Sequence, residues 1–71
     1  MNDDDFAIRL LRAQSKKGIS VRQLSIDTGL HRRTIDEYQE GKSEPKLESL
    51  AKLARALNVS TDYLCGLEDK L

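Results

Sequence analysis

Apolar positions recur along the chain at helical spacing, in stretches parted by short runs of polar and turn-forming residues. In the first stretch, Asn2 to Lys17, Ala7, Leu10, Leu11 and Gln14 share one side of a helix, flanked by Phe6 and Ile8, while Asp5, Arg9, Arg12 and Lys16 take the other. Asp3, Asp4 and Asp5 suit the positive end of that helix, and Gly18 ends it. Gln14 is the odd member, because an amide inside an apolar arc needs a hydrogen-bond partner. In the last long stretch, from Lys46 to about Leu57, the residues Leu47, Leu50, Ala51, Ala54 and Leu57 make a stripe at i, i+3, i+4 and i+7. Pro45 is placed to open this helix and Asn58 to close it in a left-handed conformation. Ser60 then caps a short final helix. Val59 and Leu64 around it have the spacing of a hydrophobic staple, the apolar pair that pins the chain as it enters a helix.

The stretch from Ser20 to Gln39 carries such signals twice in quick succession. Ser20 and Gln23 have capping-box spacing and Ile19 and Leu24 that of a staple, so a helix begins at Ser20. Gly29 stops it, because a tight turn between helices calls for a residue at positive φ. Leu30 and Ile35 repeat the staple spacing around His31, and a second helix starts there. Two helices joined so closely cross steeply, and the crossing needs a small side chain, which Ser25 supplies. This is the helix-turn-helix unit. At 100° per residue, Thr34, Ile35, Tyr38 and Gln39 of the second helix turn to the core or its border. Arg32, Arg33, Asp36, Glu37 and Glu40 turn outward. A charged outer face ordinarily means solvent and nothing more, but here both arginines come first and the acids later. The helix dipole prefers the opposite order, and the pairs Arg32/Asp36 and Arg33/Glu37 run in the weaker direction. Helix stability therefore did not choose this order, and guanidinium groups at the front of a second helix stand where base edges are read.

The segment Glu40 to Pro45 is rich in turn formers and reads as a loop. The 71 residues allow one all-α domain, 1–71, with one modest core; a chain this short buries only about 60% of its extended surface. That leaves no room for an enzyme cleft, and no nucleophile and base can be paired. The single Cys65 cannot build a disulfide framework or a cysteine metal cluster, and no cluster of histidines or acids replaces it, so neither a metal nor a cofactor is expected. Cys65 reads as a small filler at the edge of the core. A reducing cytoplasm is the expected setting, with no apolar run near about 18 residues to span a membrane and no signal peptide. In that setting the sequon Asn58-Val59-Ser60 reads as chance. The formal net charge is zero, yet residues 9–33 hold seven bases (Arg9, Arg12, Lys16, Lys17, Arg22, Arg32 and Arg33) against Asp27 alone, a net of +6. Binding follows local potential more than the total, which describes a salt-sensitive partner of an anionic polymer that adheres poorly without specificity.

Five helices with the hinge between the second and third carry the strings Gln23-Leu24, Thr28-Gly29-Leu30, Arg33-Thr34-Ile35, Tyr38, Gly41-Lys42, Pro45, Leu50-Ala51, Ala54-Arg55-Ala56-Leu57 and Val59-Ser60-Thr61-Asp62-Tyr63-Leu64. In their order and spacing, over residues 6–67, these closely resemble the Cro/phage-repressor type helix-turn-helix family, the lambda-repressor-like DNA-binding domains. The resemblance implies a compact five-helix domain that binds double-stranded DNA sequence-specifically, usually as a two-fold dimer on a palindromic operator, with the third helix in the major groove. Carried over by position, Arg32, Arg33 and Glu37 face base edges with Asp36 close by. Ser20, Arg22, Lys42 and Ser43, together with His31 and Thr34 at the front of the third helix, lie near phosphates. A homodimer, formed free or on DNA, would draw on Tyr63, Leu64, Leu67 and Leu71; core packing explains the first two equally well.

Departures from the family pattern matter as well. Val21 stands where a phosphate-contacting Gln is frequent, and His31 replaces the common Ser or Thr cap, a change that costs on the order of 1 kcal/mol. Ile26 is apolar where the family is usually polar. Gln14 and Gln39 stand where an Arg–Glu ion pair is common, which suggests a neutral amide pair in its place. Two functions remain open at this point. One is a transcriptional regulator, a repressor of phage or mobile-element type that occludes a promoter. The other is a protein-interaction module, antitoxin-like or anti-repressor, for which the carboxylates Asp36, Glu37 and Glu40 would speak. No small-molecule ligand is expected in either.

Overall fold

The computed structural model describes residues 3–69, so Asn2, where the first helix was expected to begin, lies outside the described residues. Five helices follow one another: α1 (Asp3–Lys17), α2 (Val21–Thr28), α3 (Arg32–Gln39), α4 (Leu47–Leu57) and α5 (Thr61–Cys65), and no strand occurs among the described residues. α1 packs on α3, α4 and α5, and α2 packs on α3 and α4. The core joins Phe6, Leu10 and Ala13 of α1 to Leu24, Ile35, Tyr38, Leu50, Leu53, Ala54, Leu57, Tyr63 and Leu64.

The three staples and the caps explain why α2, α3 and α5 begin where they do. Leu24, Ile35 and Leu64 are fully buried, and Ile19, Leu30 and Val59, five residues before each, pack against the same cluster. Ser20 Oγ accepts the Gln23 N–H at 3.0 Å and Ser60 Oγ accepts the Tyr63 N–H at 2.9 Å. The capping box of α2 closes only on one side, because the Gln23 side chain turns forward and its Nε2 donates to Asp27 Oδ1 at 2.8 Å.

The helix ends divide into two kinds. α1, α3, α4 and α5 end in Schellman motifs, each with a left-handed residue (Gly18, Gly41, Asn58, Gly66) and a bond back across six residues, such as Lys42 N–H to the Glu37 carbonyl at 2.9 Å. α2 ends instead in the simpler left-handed cap, with Gly29 N–H to the Ser25 carbonyl at 2.8 Å. Gly29 is required by its φ of 76° rather than by space, since a Cβ there would meet nothing within 4 Å. The next N–H, that of Leu30, goes to Thr28 Oγ1, whose own hydroxyl donates to the Leu24 carbonyl. Ser25 adds a hydroxyl bond to the Leu30 carbonyl, so it is small and also ties the turn. The chain is thereby passed directly from α2 into α3.

The expected core face of both long helices is off by a fraction of a turn. In α1, Ala13 is buried at 1% exposure while Leu11 is 46% exposed; in α4, Leu53 is fully buried while Leu47 is 79% exposed. At 100° per residue the buried arc of each is rotated by roughly 50° from the expected stripe. What a helix buries is decided at the arc's edge by its neighbours, which periodicity alone does not supply.

Candidate nucleic-acid interface

α3 is fastened to the body of the domain by its inner face. Ile35 is fully buried, and the Tyr38 ring meets Phe6 of α1 edge-on, with centroids 5.9 Å apart and planes at 79°. Gln39 Nε2 donates to Gln14 Oε1 at 2.5 Å, which supplies the partner that the buried amide of Gln14 needs. Two side chains of α1 thus grip the last turn of α3, and the turn from α2 grips the first.

The outer face of α3 is left bare. Arg32, Arg33 and Asp36 are exposed and Glu37 is half-buried. None of their charged groups joins an ion pair among the described residues, although both i,i+4 pairs were available. The ion pairs found there are Arg9–Asp69, Lys42–Glu40 and Lys52–Glu48. The front of α3 is capped by an imidazole: His31 has extended backbone, and its Nδ1 accepts the Arg33 N–H at 3.1 Å.

The residues expected near phosphates differ in their freedom. Ser20 and Arg22, at the start of α2, are exposed, with the Ser20 hydroxyl engaged as a cap. Thr34 is half-buried at the border of the core, and Ser43 is half-buried in the loop after α3. Lys42 is exposed and fixed by the Schellman motif through its backbone, and its ammonium lies 2.8 Å from Glu40 Oε2. The hydrogen bond to Glu40, and then the charges of Glu40 and Glu37, raise its pKa above the usual 10.5, so it is fully cationic at neutral pH.

The basic stretch 9–33 does not form one surface. Arg9 turns away from it: its guanidinium lies 5.0 Å from the Tyr63 ring centroid and donates to the carbonyls of Tyr63 and Glu68 and to Asp69. Lys17 donates to the Ala56 carbonyl in the last turn of α4 at 2.7 Å, where a cation suits the helix dipole. Sequence spacing could not show either destination, because the acceptors lie 39 to 60 residues away. The residues named for self-association are also redistributed. Tyr63 and Leu64 belong to the core, at 2% and 0% exposure, and have no surface to offer a second chain; Leu67 is 80% exposed, and Leu71 lies outside the described residues. Cys65 is half-buried and packs against the core edge.

Among the described residues no three of His, Cys, Asp and Glu converge as metal ligands, and no helix is long and apolar enough to cross a membrane. A sequence model of the helix-turn-helix family matches residues 8–64, most of the chain. The chain belongs to that family, in its Cro/C1-type branch. It is 39% identical over 59 residues to the SPbeta prophage-derived HTH-type transcriptional regulator YonR of Bacillus subtilis, covering 83% of this chain and 55% of that one. It is 36% identical over 44 residues to the cryptic phage CTXphi transcriptional repressor RstR of Vibrio cholerae, covering 62% of this chain and 39% of that one. The chain therefore spans about half the length, or less, of these curated relatives. Among solved structures, the restriction-modification controller protein C.AhdI from Aeromonas hydrophila superposes with a TM-score of 0.82 at 29% identity, covering 87% of this chain and 94% of that one.

Proposed function

We propose that this chain reads double-stranded DNA with α3 and acts as a transcriptional regulator, a repressor of phage or mobile-element type that works by occupying a promoter. The observation that carries the reading is the pair of exposed guanidinium groups of Arg32 and Arg33, without an ion pair among the described residues, on the first turn of a helix whose inner face is locked to the core. Arginine can bridge O6 and N7 of guanine, and a carboxylate such as Glu37 or Asp36 can accept from cytosine N4, which favours a half-site containing G·C pairs. Ser20, Arg22, His31, Thr34, Lys42 and Ser43 position the domain on phosphates without choosing a sequence. The prophage and phage regulators among its relatives support the regulatory role, and action in the cytoplasm follows from it.

One small domain offers few phosphate contacts, so binding as a homodimer on a two-fold operator completes the reading, with Leu67 as the exposed apolar residue at the α5 end. Selection from a random duplex library at about 0.1 M salt tests it. Enrichment of a palindrome with half-site centres about one helical turn apart is the expected result. No enrichment, with binding that vanishes as salt rises, would reject DNA reading and turn attention to the carboxylates Asp36, Glu37 and Glu40 as a face for a protein partner.

A further inference from the structure

The cap of α3 is chemically unlike the other two side-chain N-caps among the described residues. Ser20 and Ser60 cap with hydroxyl oxygens that accept at any ordinary pH, whereas α3 is capped by an imidazole nitrogen. The Arg33 amide can only donate, so Nδ1 of His31 must carry a lone pair, and the ring proton sits on Nε2. A second proton would have to go on Nδ1, where it faces an N–H and removes the acceptor. The bond spans Arg32 and ends on Arg33, the two residues whose side chains form the reading front.

We propose that His31 is a positioning residue for DNA reading: its neutral ring holds the first turn of α3, and with it Arg32 and Arg33, in place, and protonation of Nδ1 releases that turn. The inference rests on the reading role of α3. On its own helix the ring is followed by Arg32 and Arg33, with Asp36 a turn further. α2, packed against α3, brings Arg22 and Asp27, the latter bound by Gln23. α1, also packed against α3, brings Arg12 and Lys16 on its outer side, with Arg9 and Lys17 committed elsewhere. None of these makes an ion pair with the imidazole among the described residues.

Protonation has two opposed results. The added charge at the helix front attracts phosphate on every sequence alike, while the loosened first turn weakens base discrimination. A purely structural role would not separate the two, and the ratio of cognate to scrambled affinity does.

The test measures that ratio from about pH 8 to about pH 5.5 at constant ionic strength, for the wild type, His31→Asn and His31→Ala, with the Arg33 amide followed by nitrogen-15 NMR in the free protein. For the wild type the ratio falls about fivefold as pH drops, the equivalent of losing one cap. His31→Asn keeps a non-titrating cap and holds the high ratio throughout; His31→Ala has the low ratio at both ends. The wild-type Arg33 amide shifts with the imidazole titration. Superimposable ratios for the wild type and His31→Asn, or an Arg33 amide indifferent to pH, would overturn the proposal while leaving DNA reading intact. Absence of any enriched sequence at pH 8 would remove the reading, and this inference with it.

Discussion

Arg9 and the pair Arg32 and Arg33 lie in the same basic stretch, carry the same group, and have opposite fates. The Arg9 side chain is only 17% exposed, lies against the Tyr63 ring and reaches two carbonyls and a carboxylate in the segment after α5. Among the described residues Arg32 and Arg33 join no ion pair, although carboxylates stand one turn along their own helix. A guanidinium has five N–H donors in a rigid fork, and a fold that needs them supplies acceptors. Arg32 and Arg33 leave those donors to water on an otherwise anchored helix. Charge in a sequence thus says little until its acceptors are found, and here they divide a stretch of +6 into a clasp and an open face.

The comparison can be broken most decisively at the contact face. Arg33→Ala is expected to lose about 1–3 kcal/mol on the selected operator and to relax preference at one base position. Its folding stability stays within about 0.5 kcal/mol of wild type, as for a surface change that removes no contact. Equal losses on cognate and scrambled duplexes would remove Arg33 from base reading. Arg9→Ala is the mirror image. It removes hydrogen bonds from a mostly buried cation together with a cation–π contact, so urea unfolding should show a loss of about 2 kcal/mol with the cognate-to-scrambled ratio unchanged. A smaller effect belongs to the amide pair: a double-mutant cycle on Gln14→Ala and Gln39→Ala should give a coupling of about 1 kcal/mol in stability, and no coupling would mean the 2.5 Å bond contributes nothing. The smallest belongs to Lys42. Lys42→Ala should weaken all sequences alike and lower the salt slope by about one, while Glu40→Gln, which frees the ammonium from its 2.8 Å partner, should strengthen binding to all of them modestly.

What could be read beforehand from the chain was whatever is settled within five or six residues. The staples, the Ser20 and Ser60 caps, the turn at Gly29 and the left-handed Asn58 (φ 57°) all follow from neighbours in sequence. The outward placement of Arg32, Arg33 and Asp36 was equally legible, because α3 is short and only one of its faces is apolar. Leu11 and Leu47 went astray because apolar character continues past the edge of the buried arc. Tyr63 and Leu64 looked available for a second chain because a short last helix has no periodicity from which to judge its inner face, and the core claims both. The destinations of Arg9 and Lys17 depend on contacts that close only in three dimensions. The Gln14–Gln39 bond does so too, and it was foreseeable only because a double replacement drew attention to both positions.

That bond carries a consequence for how the protein responds to its medium. Two uncharged amides join α3 to α1, and an aromatic edge joins it beside them. Neither attraction is screened by dissolved ions, and neither amide gains or loses a proton between acid and alkaline conditions. The seat of α3 therefore keeps its geometry across ionic strengths that would loosen an Arg–Glu tether. On the proposed reading of DNA by α3, a plot of affinity against salt then counts the ions released, undistorted by any shift of that helix.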